Sequence, residues 1–170
     1  MPELYIQPLL PSDQDAVWDL LHIALWDPPP APLRPRDVLD TPGVRIYAED
    51  WGRREGDVGV CGRLGSDSAI VGACWLRLVK GGLGLSYIDD CTPQLGIALI
   101  PGCQRRGYGE RLMRAALAEA GKHYRQVALS VHPQNPAIRL YRRCGFEQVD
   151  VRRNYLIMVR GLATESPDGD

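Results

Sequence analysis

The sequence has no apolar run approaching the ~20 residues that a helix needs to cross a bilayer. Its first residues, Met1-Pro2-Glu3-Leu4, place no basic segment ahead of an apolar stretch. Neither a membrane span nor a secretory leader is expected, and the expectation is a soluble cytoplasmic protein with no membrane partner. Basic excess is lacking too. The 20 Lys and Arg stand against 21 Asp and Glu, a formal net charge of −1. A nucleic-acid binder would be expected to show a basic excess or stripe, so nucleic acid is not an expected partner. Paired cysteines are also missing. The five cysteines (Cys61, Cys74, Cys91, Cys103 and Cys144) are odd in number and include no C-x-x-C spacing. That argues against a disulfide framework or a zinc site and for buried free thiols in a reducing compartment. No metal is expected. Internal repeats are absent, and the run Asp27-Pro28-Pro29-Pro30-Ala31-Pro32 is the only biased segment.

What is present suits one compact domain. The 170 residues are 45% hydrophobic and 24% charged, enough to build a core without a staple. The expected domain spans 1–162, and the polar segment 163–170 reads as a frayed tail.

Leu4–Pro8 reads as a strand. Ser12 reads as a helix N-cap with Asp15 in the capping-box position, and Val17, Leu20, Leu21, Ala24 and Leu25 recur at helical spacing, predicting a helix over 13–26. The prolines stop it. Segments 36–39 and 46–51 are candidate short helical pieces. Strands are predicted over 57–64, 69–79 and 94–100, with a hairpin turn at Gly65-Ser66-Asp67. Tyr108–Ala120 is amphipathic, with Leu112, Met113, Ala116, Leu117 and Ala120 on one face. Gln126–Val131 is a strand. Pro136–Cys144 reads as a helix with Asn135 as N-cap and Gly145 just past its end. One or two strands close the chain over 149–160. The strand–helix–strand unit across 94–131 should be a right-handed parallel crossover, and the earlier strands, joined by short turns, should be antiparallel. The expected fold class is α/β: a mixed sheet with helices on both faces.

The segment Pro101-Gly102-Cys103-Gln104-Arg105-Arg106-Gly107-Tyr108-Gly109 joins a strand to a helix start. Unpaired N–H groups and the positive end of the helix dipole make such a loop a phosphate site, and glycines let the backbone approach the anion. It is not a P-loop, because Tyr108-Gly109 stands where Lys-Ser/Thr is required. It is not a dinucleotide fingerprint, because Leu112 holds the third glycine position.

Gln104, Gly107 and Gly109 do fill Q/R-x-x-G-x-G/A, the pyrophosphate loop of the GNAT superfamily of N-acetyltransferases. Downstream, Leu129 to Phe146 resembles that family's second signature, a strand, then N-x-x-A/I, then a helix ending Y-x-x-x-G-F. Tyr5-Ile6-Gln7-Pro8 leading into a capped helix agrees with its N-terminus. The resemblance spans roughly residues 4–160. It implies a GNAT-like sheet, mostly antiparallel, whose one parallel pair splays around the cofactor. It implies acetyl-CoA as co-substrate, held by Gln104, Arg105, Arg106, Gly107, Tyr108 and Gly109 at the diphosphate and by Leu99, Ile100, Asn135 and Tyr141 along the pantetheine. The implied reaction is direct acyl transfer to a primary amine through a tetrahedral intermediate, whose oxyanion an N–H of the 99–100 stretch would hold.

Tyr141 is implied as donor to the departing sulfur. Free tyrosine titrates near ~10 and a thiol near ~8.5, so full proton transfer is uphill by about 2 kcal/mol, and a hydrogen bond to the thiolate serves as well as general-acid catalysis. An amine with pKa ~10.4 costs about 4.6 kcal/mol to deprotonate at pH 7, so a base or water chain is expected. Where relatives carry a Glu, this chain has Gln94, which cannot serve. Asp89, Asp90 and His132 are the base candidates. Asn135 can cap its helix or contact pantetheine. Acceptor selection is expected from segment 22–55, with His22, Trp26, the prolines and Trp51. The acceptor is expected to be a small-molecule or peptide amine, and a homodimer is the assembly common in the family. The alternative reading is a non-catalytic acyl-CoA-binding regulatory module.

Overall fold

The computed structural model describes residues 3–162; the expected tail at 163–170 lies outside them. Seven strands, β1 (Tyr5–Pro8), β2 (Val58–Arg63), β3 (Ile70–Arg77), β4 (Gln94–Leu99), β5 (Gln126–Val131), β6 (Glu147–Arg152) and β7 (Tyr155–Gly161), form one sheet in the order β1-β2-β3-β4-β5-β7-β6. Every pairing is antiparallel except β4–β5. The helices are α1 (Gln14–Ala24), α2 (Pro42–Arg45), α3 (Tyr108–Ala120) and α4 (Ile138–Arg143).

The helix stripes explain the layers. Leu112, Met113, Ala116, Leu117 and Ala120 of α3 are buried and share a core with Cys74 and Leu76 of β3, Val127 and Leu129 of β5, and Ile138 and Tyr141 of α4. On the opposite face, Val17, Leu20 and Leu21 of α1 pack with Trp51, Trp75, Ala73 and Ala98. Glycine lets Leu4 approach the sheet closely at Gly62, where a Cβ would meet Leu4 Cδ1 at 2.7 Å.

Several expectations need correction. A 3₁₀ turn over Pro11–Asp13 takes in Ser12, so α1 starts at Gln14; the carboxylate that works here is Asp13, which accepts the Leu10 N–H at 2.8 Å. α4 begins at Ile138, because Asn135 closes a tight turn by accepting the Ala137 N–H at 2.9 Å before the helix starts. Of the first four strands only β2 and β3 are joined by a short turn; residues 78–93 form a long connection into β4. Cys91 is exposed, while the other four thiols are buried.

The irregular segment between α2 and β2 hangs on one buried ion pair. Arg77 of β3 is 0% exposed and Asp57 3%. The guanidinium meets the carboxylate at 2.8 and 3.0 Å and donates to the carbonyls of Ile46 (3.0 Å), Asp50 (3.2 Å) and Glu49. It also lies 5.5 Å from the centroid of Trp51. Burial repays the charge only because all these partners are present.

Candidate active site

β4 and β5 share a single rung, Gln94 opposite Ala128, with the Ala128 N–H on the Pro93 carbonyl at 3.1 Å. Beyond it they part. The ladder to β3 runs through the even residues of β4, ending with the Ile100 N–H on the Val71 carbonyl at 2.9 Å. In an antiparallel ladder, alternate residues turn their polar groups the other way. Ile97 and Leu99 therefore aim theirs at the gap. From β5 the same alternation, fixed by the Leu162 N–H on the Arg125 carbonyl at 2.7 Å, aims Ser130 at it. Ser130 is exposed in the middle of a seven-stranded sheet for this reason. A cavity of about 120 Å³ fills the gap, lined by Leu95, Gly96, Ile97, Ser130 and Tyr141 among others. The expectation for Ile100 is thereby corrected: its N–H is committed to β3, and Ile97 is the residue with its backbone in the gap.

The glycine loop follows β4. Pro101–Cys103 forms a 3₁₀ turn, and the Gln104 side chain folds back to donate to the Leu99 carbonyl at 3.0 Å. Arg105 (φ +62°) and Gly107 (φ +81°) are left-handed, which turns the chain into α3. Gly107 is required by that conformation. Gly109 is not: its Cβ would meet Leu140 and Leu99 at ordinary contact distances of 3.4 and 3.5 Å. Tyr108 is buried, whereas Arg105 and Arg106 are exposed. Among the described residues the N–H groups of Arg105, Arg106 and Gly107 meet no protein acceptor. Glu110, in the first turn of α3, pairs with Arg114 (3.5 Å) and with Arg143 of α4 (3.3 Å), which ties the two motifs together.

The second motif positions one phenol. Past α4 the chain reverses at Gly145 (φ +93°), and the Phe146 N–H donates to the Tyr141 carbonyl at 3.0 Å. The Phe146 ring then meets Tyr141 edge-on at 6.2 Å. Tyr141 is 8% exposed and lines both the gap and a larger cleft. Burial, with Cys74 nearby, pushes its phenol far above the ordinary tyrosine range, so it stays protonated and keeps its O–H as a donor. Burial likewise raises the Cys74 and Cys144 thiols, which keeps them in the unreactive protonated form.

The larger cleft, about 880 Å³, opens on the α1 side of Tyr141. Its walls come from four separated segments: Ala24–Tyr47, Gly82–Ile88, Ser130–Asn135 and Arg152–Tyr155. Trp26, His132 and Tyr155 form an aromatic wall, with centroids 5.5 Å (Trp26–His132) and 5.7 Å (His132–Tyr155) apart. His132 Nδ1 accepts the Gln134 N–H at 3.0 Å, so the neutral ring carries its proton on Nε2 and offers no lone pair to the cleft. Asp90 does not line the cleft. Its Oδ1 accepts from the Tyr87 hydroxyl (2.6 Å) and the Gly81 N–H (2.9 Å), and these bonds hold its carboxyl below the usual range. Asp89 caps its own loop through the Cys91 N–H and the Thr92 hydroxyl. No Asp or Glu lines the cleft among the described residues.

Gln94 is buried and structural. Its Oε1 accepts from Tyr47 (2.6 Å) and Ser86 (2.9 Å), and its amide donates to the Leu83 carbonyl at 2.8 Å. Burial pushes the Tyr47 phenol up to about 12. Trp26 lies where acceptor selection was expected, but Trp51 is 1% exposed and donates to the Leu9 carbonyl, so it belongs to the core. Sequence reasoning missed Tyr47, Ser130 and the Arg152–Tyr155 hairpin tip. Arg153-Asn154 breaking the 149–160 stretch was the one signal that could have marked the tip.

A parallel strand pair thus parts after one rung, and a glycine loop at a helix start follows it. The chain belongs to the acetyltransferase (GNAT) family, whose model matches residues 18–146. Acetyl-CoA is accordingly the co-substrate. Solved structures agree in fold. The ribosomal-protein alanine N-acetyltransferase of Escherichia coli matches with TM-score 0.66 at 19% identity, covering 99% of each chain. The putative acetyltransferase YncA of Salmonella typhimurium, solved with acetyl-CoA, gives 0.64 at 18%, covering 99% of this chain and 98% of that one. The PaiA N-acetyltransferase of Thermoplasma acidophilum, solved with coenzyme A, gives 0.63 at 14%, covering 94% and 99%. No curated protein sequence matches the chain. No helix among the described residues is long and apolar enough to cross a membrane.

Proposed function

We propose that the protein transfers the acetyl group of acetyl-CoA directly to a primary amine bound in the 880 Å³ cleft. The observation that carries this is the junction at Tyr141, which with Ala24, Leu25, Tyr47 and Ser130 lines both the gap and the cleft. The N–H groups of residues 105–109, with Arg105 and Arg106, take the diphosphate. The backbone of Ile97 and Leu99 pairs with the pantetheine as an added strand would, and one of their N–H groups polarises the thioester carbonyl. The Asn135 amide, its oxygen committed to the Ala137 N–H, is left with its NH₂ as a donor into the cleft. Tyr141 donates a hydrogen bond to the sulfur as it leaves. Water takes the amine proton, because no carboxylate lines the cleft and His132 keeps its Nε2 protonated.

That missing carboxylate also favours a second reading, an acyl-CoA-binding regulatory module. Two measurements separate them. Acetyl-CoA at a hundredfold excess over Kd should stabilise the protein by about 2.7 kcal/mol. Mass-detected acetylation of an amine panel should then show turnover, with Tyr141→Phe lowering kcat. Binding without transfer to any amine supports the module.

A further inference from the structure

The charge in the acceptor cleft is of one sign. Arg34, Arg152 and Arg153 line it, with no carboxylate beside them among the described lining residues. Two of the three guanidiniums are already engaged. Arg34 grips Asp27 through two bonds of 2.8 and 2.9 Å. Arg152 pairs with Asp150 at 2.9 Å and donates to the Leu85 and Tyr87 carbonyls at 3.0 and 2.6 Å, so it braces the 82–88 wall. Arg153 is different. It is exposed and makes no ion pair or hydrogen bond among the described residues.

The backbone at Arg153 sharpens the point. Arg153 (φ +50°) and Asn154 (φ +68°) form the two-residue tip between β6 and β7, and both are left-handed. Asn and Gly suit such a turn, whereas other residues are strained there by their Cβ. The turn does not ask for arginine, so the side chain is what the position supplies. It supplies an uncompensated positive charge at the mouth of a small-molecule-sized cleft.

We infer that the acceptor is a small amine bearing a carboxylate or phosphoryl group, and that Arg153 selects it. The inference rests on the acyl-transfer reading above. A polyamine, whose charges would face Arg153 with no carboxylate to receive them, is excluded.

Matched pairs test this by mass-detected transfer from acetyl-CoA: β-alanine against β-alaninamide, phosphoethanolamine against ethanolamine, with spermidine alongside. The anionic member of at least one pair should lead by tenfold or more in kcat/KM, and which pair leads distinguishes carboxylate from phosphoryl. Arg153→Gln should shrink that lead below threefold by raising KM, and Arg153→Lys should retain most of it. Best turnover of spermidine or of the neutral members, or a lead untouched in Arg153→Gln, overturns the inference. If acetyl-CoA binds and no amine is acetylated, the transfer reading fails, and calorimetric titration of N-acetyl-β-alanine and N-acetylphosphoethanolamine into CoA-saturated protein decides the anion question. Binding of either that Arg153→Gln weakens tenfold supports the cleft as an anion site. Absence of binding, or binding unchanged by the substitution, refutes it.

Discussion

The two sides of the β4–β5 gap are built differently. On the α3–α4 side lie regular elements and backbone groups: the loop amides at 105–107, the Ile97 and Leu99 edge that faces the gap, and one tyrosine held by the turn at Gly145. On the α1 side, side chains from four distant segments meet, and the walls are loops braced by Arg77, Arg152 and Gln94. Under the proposed function, the diphosphate and the amide-bearing arm of the cofactor are met by short local motifs. Under the same reading, the acceptor is met by long connections, the kind of segment that tolerates change.

The largest expected effect tests the brace on the acceptor side. Asp57→Ala leaves the Arg77 charge buried without its partner and should cost about 3–5 kcal/mol in urea denaturation. A loss under 1 kcal/mol would mean that segment 46–50 does not depend on that pair. Next comes the junction. Tyr141→Phe should lower kcat about 10²-fold with the KM for acetyl-CoA nearly unchanged, since the hydroxyl matters only as the sulfur departs. The pH profile belongs with it. Tyr141 stays protonated to well above pH 10, and no cleft carboxylate titrates, so kcat/KM should climb about tenfold per pH unit up to the pKa of the acceptor amine. An added break below pH 7 would reveal a side-chain base.

On the cofactor side, Arg105→Ala with Arg106→Ala should raise the KM for acetyl-CoA about tenfold and leave the acceptor KM alone, as loss of charge-assisted contacts worth about 1.5 kcal/mol would. Equal effects on both substrates would blur the division between the sides. The smallest effect concerns Asp27, whose carboxyl the Arg34 guanidinium holds below its ordinary value. That pair contributes stability above the ordinary carboxylate pKa, near ~3.9, and loses it as pH falls through the lower folded value. Wild type and Asp27→Asn should therefore differ in Tm at pH 7 and converge in acid.

Legibility in the sequence divides along the same line. Tyr108–Ala120 and Gln126–Val131 were readable to the residue, because their apolar period and their flanking glycine and polar turns lie within the elements themselves. The places of the glycine loop before α3 and of Tyr141 within α4 were readable for the same local reason. Ile97 was not, since which strand edge stays open depends on ladder parity with β3, a nonlocal property. Asp90 and His132 carry the right chemistry in the chain, but Tyr87 and Gly81 occupy the first and the Gln134 N–H the second. Tyr47 and Arg153 lie far from any motif, and only the fold brings them to one cleft.

A crystal of the protein soaked with coenzyme A bears most directly on the site. The diphosphate should lie against the amides of residues 105–109, with the pantetheine running along Ile97 and Leu99 toward Tyr141. Density for the nucleotide elsewhere on the surface, with that turn bare, would contradict it.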